Sequence, residues 1–144
     1  MASQKHVSDT LNQFLRLART AKLQYEQHLA AVEHEPAQSI LADIIEEEAQ
    51  HVQWLVSAIE GVGGTPTTDT DDLVVPEEFE LMMRENYDLE STIVREFEHH
   101  LDEIWDPQLR TLITTLLERA RQHQDAFRGL FEDFGTDELM DRPA

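Results

Sequence analysis

Residues 44–55 read IIEEEAQHVQWL, and residues 116–127, 72 positions later, read LLERARQHQDAF. In each stretch the apolar residues recur at helical three-and-four spacing: Ile44, Ile45, Val52 and Leu55 in one, Leu116, Leu117, Ala120 and Phe127 in the other. In each, a histidine stands inside that apolar stripe, His51 first and His123 second. Carried outward at the same offset, residues 11–63 lie over residues 83–135 without a gap. Leu17/Leu89, Glu26/Glu98, His28/His100, Gln50/Gln122 and Gly63/Gly135 are identical pairs, and Ile59/Phe131 stays apolar. A repeat of this length predicts one helical hairpin used twice, each copy burying the other's apolar face.

The pattern predicts helices over about 4–33, 37–60, 76–104 and 107–134 in one bundle domain, 1–135. Val7, Leu11, Phe14, Ala18, Tyr25 and Leu29 belong to the first apolar stripe. Pro36 suits a first helical turn, glycines at 61, 63 and 64 stop the second helix, and Pro76 opens the third. The breaks near 34–36 and 105–107 are short, so each flanking pair of helices is antiparallel. Residues 61–75 are rich in Gly, Thr and Asp, and an extended chain of that length spans about 50 Å at about 3.3 Å per residue. That exceeds the length of a helix of about 25 residues. The expectation is an all-α four-helix bundle, two antiparallel hairpins joined by a long crossover, with Leu73, Val74 and Val75 packed along its flank. Residues 136–144 read as a polar C-terminal tail.

The 144 residues include no cysteine, so a metal site has only His, Asp and Glu to draw on. A formal charge of −19, from 11 basic and 30 acidic residues, argues against nucleic acid and anionic membranes as partners. No apolar run approaches the roughly 18 residues needed to span a bilayer, and the first residues lack a signal-peptide core. A cytoplasmic protein is expected.

Four ionisable residues point into this bundle. Glu48 falls between Ile44/Ile45 and Val52/Leu55, and His51 follows one turn later. Glu90 lies three residues before Ile93 and seven before Phe97, and His123 lies between Ala120 and Phe127. A lone buried carboxylate is costly, and protonation, a salt partner or a metal relieves the cost. Glu-x-x-His on one helix suits a metal, because both side chains can reach one ion. Other candidates read more simply as scaffold. Tyr25 fills the core with its hydroxyl on an acid, Trp54 and Trp105 close helix ends or face an interface, and His99, which spells a second Glu-x-x-His with Glu96, lies on a solvated face. His28 and His100 sit at the stripe's edge. Glu46, Glu47 and Asp69 to Asp72 read as surface charge, with an acidic rim as a lure for cations.

The stretches from Leu11 to His28 and from Ile44 to Leu55 resemble the first helix of a bacterioferritin and the ligand motif of the second. The chain is similar to the ferritin-like superfamily, bacterioferritin and rubrerythrin above all, over about residues 8–134. In that superfamily each hairpin gives one acid from its first helix and a Glu-x-x-His from its second, and together they hold two irons. The resemblance assigns Glu48, His51, Glu90 and His123 as metal ligands. It also places Ala18 and Ala120 where the first helix's acid and the fourth helix's bridging acid would stand. Two carboxylates balance one divalent ion rather than two. The expectation is therefore a single ion, iron before zinc or manganese, in a reduced site. If redox activity persists, the resemblance implies ferrous iron reacting with O2 or peroxide, as in a ferroxidase. It also implies a homodimer or higher homo-oligomer. The alternative is a metal-free structural or interaction module, its interior acids paired with Lys22, one turn beyond Ala18. Iron storage in a hollow shell is a third reading, without an obvious fifth helix to support it.

Overall fold

Four helices follow in chain order: α1 Gln4–Ala31, α2 Glu35–Gly61, α3 Phe79–Leu101 and α4 Pro107–Asp141. The computed structural model describes residues 3–141, and the side chains of residues 3–132. Among the described residues there is no strand, and no helix is long and apolar enough to cross a membrane. α1 packs on α2 and α3 on α4, and the two hairpins meet through α1 on α3 and α2 on α4. The architecture is an all-α four-helix bundle.

Local chemistry sets the helix ends. Ser3 caps α1 by accepting from the His6 amide at 3.1 Å. His34 caps α2 through Nδ1, which accepts from the Ala37 amide at 3.3 Å, with proline in the first turn. Pro76 does not open α3, which begins three residues later with Glu78 as its extended cap. Ahead of α4, Asp106 Oδ1 accepts from the Gln108 and Leu109 amides at 2.9 and 3.0 Å. Arg110 satisfies the free end of α3, donating from Nη1 to the Leu101 and Ile104 carbonyls. Gly63 adopts a φ of 81°, the left-handed turn that ends α2, and the Gly64 amide closes back on the Ile59 carbonyl at 2.9 Å. α4 runs on past Gly135 to Asp141, through most of the segment read as a polar tail; residues 142–144 lie outside the described residues. A single glycine inside a helix costs about 1 kcal/mol, too little to stop a long helix where no other breaker follows.

The apolar stripes meet along the bundle axis. Leu11, Leu15, Leu41, Leu55, Ile59 and Ile113 have no exposed surface, each contributing about 1.5–3 kcal/mol by leaving water. Phe14 meets Phe97 edge-on at 4.6 Å between ring centres, and Tyr25 meets Phe127 at 5.0 Å, so aromatic contacts tie α1 to both helices of the second hairpin.

The crossover is held differently from the expectation. Val74 and Val75 are 44% and 46% exposed rather than packed along the flank, and only Leu73 is half-buried. A backbone with no helix or strand of its own needs outside partners for its amides and carbonyls. α1 supplies anchors from Asn12, Arg16, Thr20, Gln24 and His28, one polar residue every four positions. Asn12 donates to the Thr65 carbonyl and accepts from the Thr67 amide; Arg16 pairs with Asp71. Thr20 accepts from the Asp71 amide, Gln24 Oε1 from the Val74 amide, and His28 Nε2 meets the Val74 carbonyl at 2.8 Å. His28 is thus part of a clamp on the crossover.

Candidate metal centre

Glu48 enters the core from α2, Glu90 from α3 and His123 from α4, each because its helical register sets it in an apolar stripe. All three are at most 3% exposed. One ligand atom from each lies within 4.8 Å of the other two, the spacing of donors around a common ion. His123 Nδ1–H points between the carboxylates, donating to Glu48 Oε1 at 3.1 Å and Glu90 Oε1 at 3.3 Å. His51, the fourth residue singled out from the sequence, is also buried and stands beside this trio rather than within it. Its Nδ1 is 3.7 Å from Glu48 Oε2. Its ring stacks on His123 at 5.9 Å between centres and 21° between planes.

The electrostatics separate the two acids. Burial would raise the Glu48 carboxyl, but hydrogen bonds from His123 and His51 and their charges outweigh it and hold the group at about 2. Burial, and then the charge of Glu48, push Glu90 up to about 8. For His123 burial opposes ionisation, yet the hydrogen bonds and charges of Glu48 and Glu90 raise it to about 11. At neutral pH this makes an ionised Glu48, an imidazolium at position 123 and a protonated Glu90, a set with no net charge. Tyr25 donates to Glu90 Oε1 at 2.9 Å; burial first, then the two acids, raise its own proton affinity well above that of a free phenol. Glu90 Oε2 is buried and has no hydrogen-bond partner among the described residues.

Glu47, read from the sequence as surface charge, belongs to this site. Its Oε2 accepts from His123 Nε2–H at 2.9 Å, while Arg119 Nη1 holds its Oε1 at 3.0 Å. The side chain reaches α4 from the edge of α2, half-buried, and one-dimensional periodicity gives such an edge residue no inward assignment. The available signal was the opposite charge of Arg119 at the corresponding register of the other hairpin. Outside Glu47, a surface depression is lined by Asp43, Glu46 and Gln50.

Lys22 does not enter the core. Its ammonium pairs with Glu26 Oε1 at 2.9 Å, one turn on along α1, and no lysine approaches the interior acids among the described residues. Ala18 and Ala120 are buried, and each carries only a methyl group toward the packed interior. His99 is exposed, as the solvated-face reading has it, and His100 pairs with Glu96 and Glu103 at the bundle end.

The bundle superposes on three ferritin-like structures, and this likeness concerns the fold. A ferritin-like, diiron-carboxylate protein from Bacillus anthracis is 20% identical with a TM-score of 0.84, covering 91% of this chain and 99% of that one. A dodecameric thioferritin from Bacteroides fragilis, described as bacterioferritin-related, is 17% identical at 0.88, covering 99% and 94%. The bacterioferritin of Rhodobacter capsulatus, solved with a metal-free dinuclear site and haem iron, is 20% identical at 0.80, covering 94% and 89%. No curated protein matches the sequence significantly. Residues 19–131 match the rubrerythrin family model, and the chain belongs to that family.

The residues present suit a metal ion. Glu90 Oε2 is a buried oxygen with no donor, in a core where two more ligand groups converge. His123 has the arrangement expected of a ligand: one ring nitrogen among the converging oxygens, the other fixed by the Glu47 carboxylate.

Proposed function

We propose that this protein binds one divalent metal ion between Glu48, Glu90 and His123, with His51 completing the donor set and iron the favoured ion over zinc or manganese. The observation that carries the reading is the convergence of three buried ligand groups around an unsatisfied Glu90 oxygen. Two carboxylates and neutral imidazoles balance one divalent charge, and the buried methyls of Ala18 and Ala120 bring no acid for a second ion. Rubrerythrin-family membership and the diiron-carboxylate neighbour favour iron. When bound, ferrous iron supplies an electron to O2 or peroxide, a residual ferroxidase-like chemistry.

The chain's own groups prepare the site. Glu47 keeps the His123 ring in place and leaves Nδ1 as the inward nitrogen; Tyr25 orients Glu90. Binding would displace the protons on His123 Nδ1 and Glu90, and the acidic depression of Asp43 and Glu46 lies outside Glu47. The same acids raise the local concentration of cations. We further propose a homo-oligomer: Leu23 is 41% exposed on α1, and the Bacteroides fragilis neighbour is a dodecamer. Size-exclusion chromatography with light scattering tests it.

Elemental analysis after anaerobic reconstitution with ferrous iron tests the metal. About one ion per chain is expected, and none in Glu48→Ala. Two per chain would overturn the single-ion reading, and none in the wild type would overturn metal binding. A second reading, a metal-free module, draws on the Glu48–His123 pair, which neutralises the core without an ion. It predicts a melting temperature indifferent to chelator and to added ferrous ion, whereas an ion held only by the folded state raises it by mass action.

A further inference from the structure

A line of rings runs from the surface to the candidate centre. The Trp54 indole, 37% exposed on α2, lies 5.8 Å from the His51 ring at 31° between planes. His51 lies 5.9 Å from His123 at 21°, and His123 Nδ1 faces both interior acids. One electron-rich ring with access to water is therefore one ring contact from His51, which completes the proposed donor set, and two from His123.

The single-ion reading gives that line a use. Peroxide takes two electrons on reduction to water, and one ferrous ion yields one on becoming ferric. We propose that Trp54 is the built-in donor of the second electron, passed through the His51 and His123 rings, when hydrogen peroxide oxidises the ferrous site. This proposal rests on the single-ion reading. In the balanced step the O–O bond breaks, and the peroxide takes up two electrons and two protons from solvent to leave as two waters. One electron comes from the ion and the other from Trp54. Trp54 also releases its indole N–H proton to solvent and becomes a neutral tryptophanyl radical, so the net uptake is one proton.

Tyr25 is nearer the acids but is poorly suited to the role. Its ring is fully buried, and its hydroxyl proton is committed to Glu90, with no exposed edge through which the phenol could be restored. Trp54 meets both requirements: an aromatic path inward and an exposed edge for proton release and later re-reduction. Trp105 is more exposed, at 66%, but sits in the α3–α4 turn and has no ring contact with either histidine among the described residues.

The test uses full-length protein loaded anaerobically with ferrous iron, its iron content measured before one equivalent of hydrogen peroxide is added. Freeze-quench electron paramagnetic resonance follows the radical, and peptide mass spectrometry locates oxidised side chains. A tryptophanyl signal in the wild type and in Trp105→Phe is expected, lost at least tenfold in Trp54→Phe and turned into a tyrosyl signal in Trp54→Tyr. Iron content should be equal in all four proteins. Oxidation products should map to Trp54. A radical that persists in Trp54→Phe, or one that maps to Tyr25, overturns the assignment. So does peroxide consumption by iron-loaded wild type with no side-chain radical and no modified Trp54. Absence of iron in the wild type overturns the metal reading and this proposal with it, and the iron measurement tells the two failures apart.

Discussion

Asn86 and Glu90 stand one turn apart on α3, both fully buried, and they end in opposite kinds of polar cluster. Around Asn86 every group is neutral. Gln24 Nε2 donates to Asn86 Oδ1 at 3.0 Å, Gln24 Oε1 accepts from the Val74 amide, and burial lowers the proton affinity of His28, which keeps that ring uncharged. The cluster fixes the crossover to α1. Around Glu90 lie a carboxylate, an imidazolium and a tyrosine, and balance depends on protons held against their usual tendency. Amides anchor the Val74 backbone without ions, whereas buried carboxylates leave a set of charges that a cation can take over.

Removing the imidazolium of the charged cluster gives the largest predicted effect. His123→Ala leaves Glu48 buried without its partner and should cost about 3–5 kcal/mol in chemical denaturation of the metal-free protein. A loss below about 1 kcal/mol would mean that Glu48 finds water or a proton easily, and the contrast between the clusters would weaken.

The pH dependence sharpens the same contrast. Glu90 holds its proton to about 8 when folded, against 4.5 for the free group, so its contribution to the metal-free fold is lost as pH rises through that interval. His123, raised from 6.5 to about 11, contributes below the lower value and loses its contribution as pH climbs through the higher. Glu48, lowered from 4.5 to about 2, contributes above 4.5 and loses its contribution as pH falls toward 2. The melting temperature of the metal-free protein should therefore fall between pH of about 6 and about 9, while the gain from added zinc or ferrous ion grows over the same range. A gain that shrinks with pH would contradict proton displacement at the site.

The neutral cluster should respond only to loss of its hydrogen bonds. Gln24→Leu strands the Val74 amide and Asn86 Oδ1 and should cost about 1–3 kcal/mol by urea denaturation, with metal content unchanged. If metal content falls as well, the two clusters are one unit. Smallest of all, Lys22→Ala removes a half-exposed pair with Glu26 and should change stability by about 0.5 kcal/mol or less. A large loss of stability or of metal would return Lys22 to the interior network.

These clusters also show what sequence can and cannot reveal. Glu48, Glu90 and His123 were legible because a charged residue inside an apolar stripe stands out against the helical period, and the ferritin-like resemblance marked Ala18 and Ala120. Glu47 was not, because its partner lies on another helix and its own position is at the stripe's edge. Lys22, about 40° around from Ala18, fits either side by angle alone, and the nearby Glu26 decides it. The exposed valines of the crossover had no periodicity to place them. Its real anchor was present as a polar residue every four positions along α1, from Asn12 to His28, a ridge beside the apolar stripe. Polar residues at helical spacing look like ordinary surface until a second segment is known to lie over them.

In the proposed function, a cation that would replace protons among Glu48, Glu90 and His123 sets the charged cluster apart from the neutral one. Anomalous diffraction at the iron edge, from crystals of protein reconstituted with ferrous iron, tests that most directly. One peak per chain is predicted, bonded to a carboxylate oxygen of Glu48, a carboxylate oxygen of Glu90 and Nδ1 of His123. Crystals of iron-soaked protein with no peak there, and the His123 ring still donating to both acids, would contradict it.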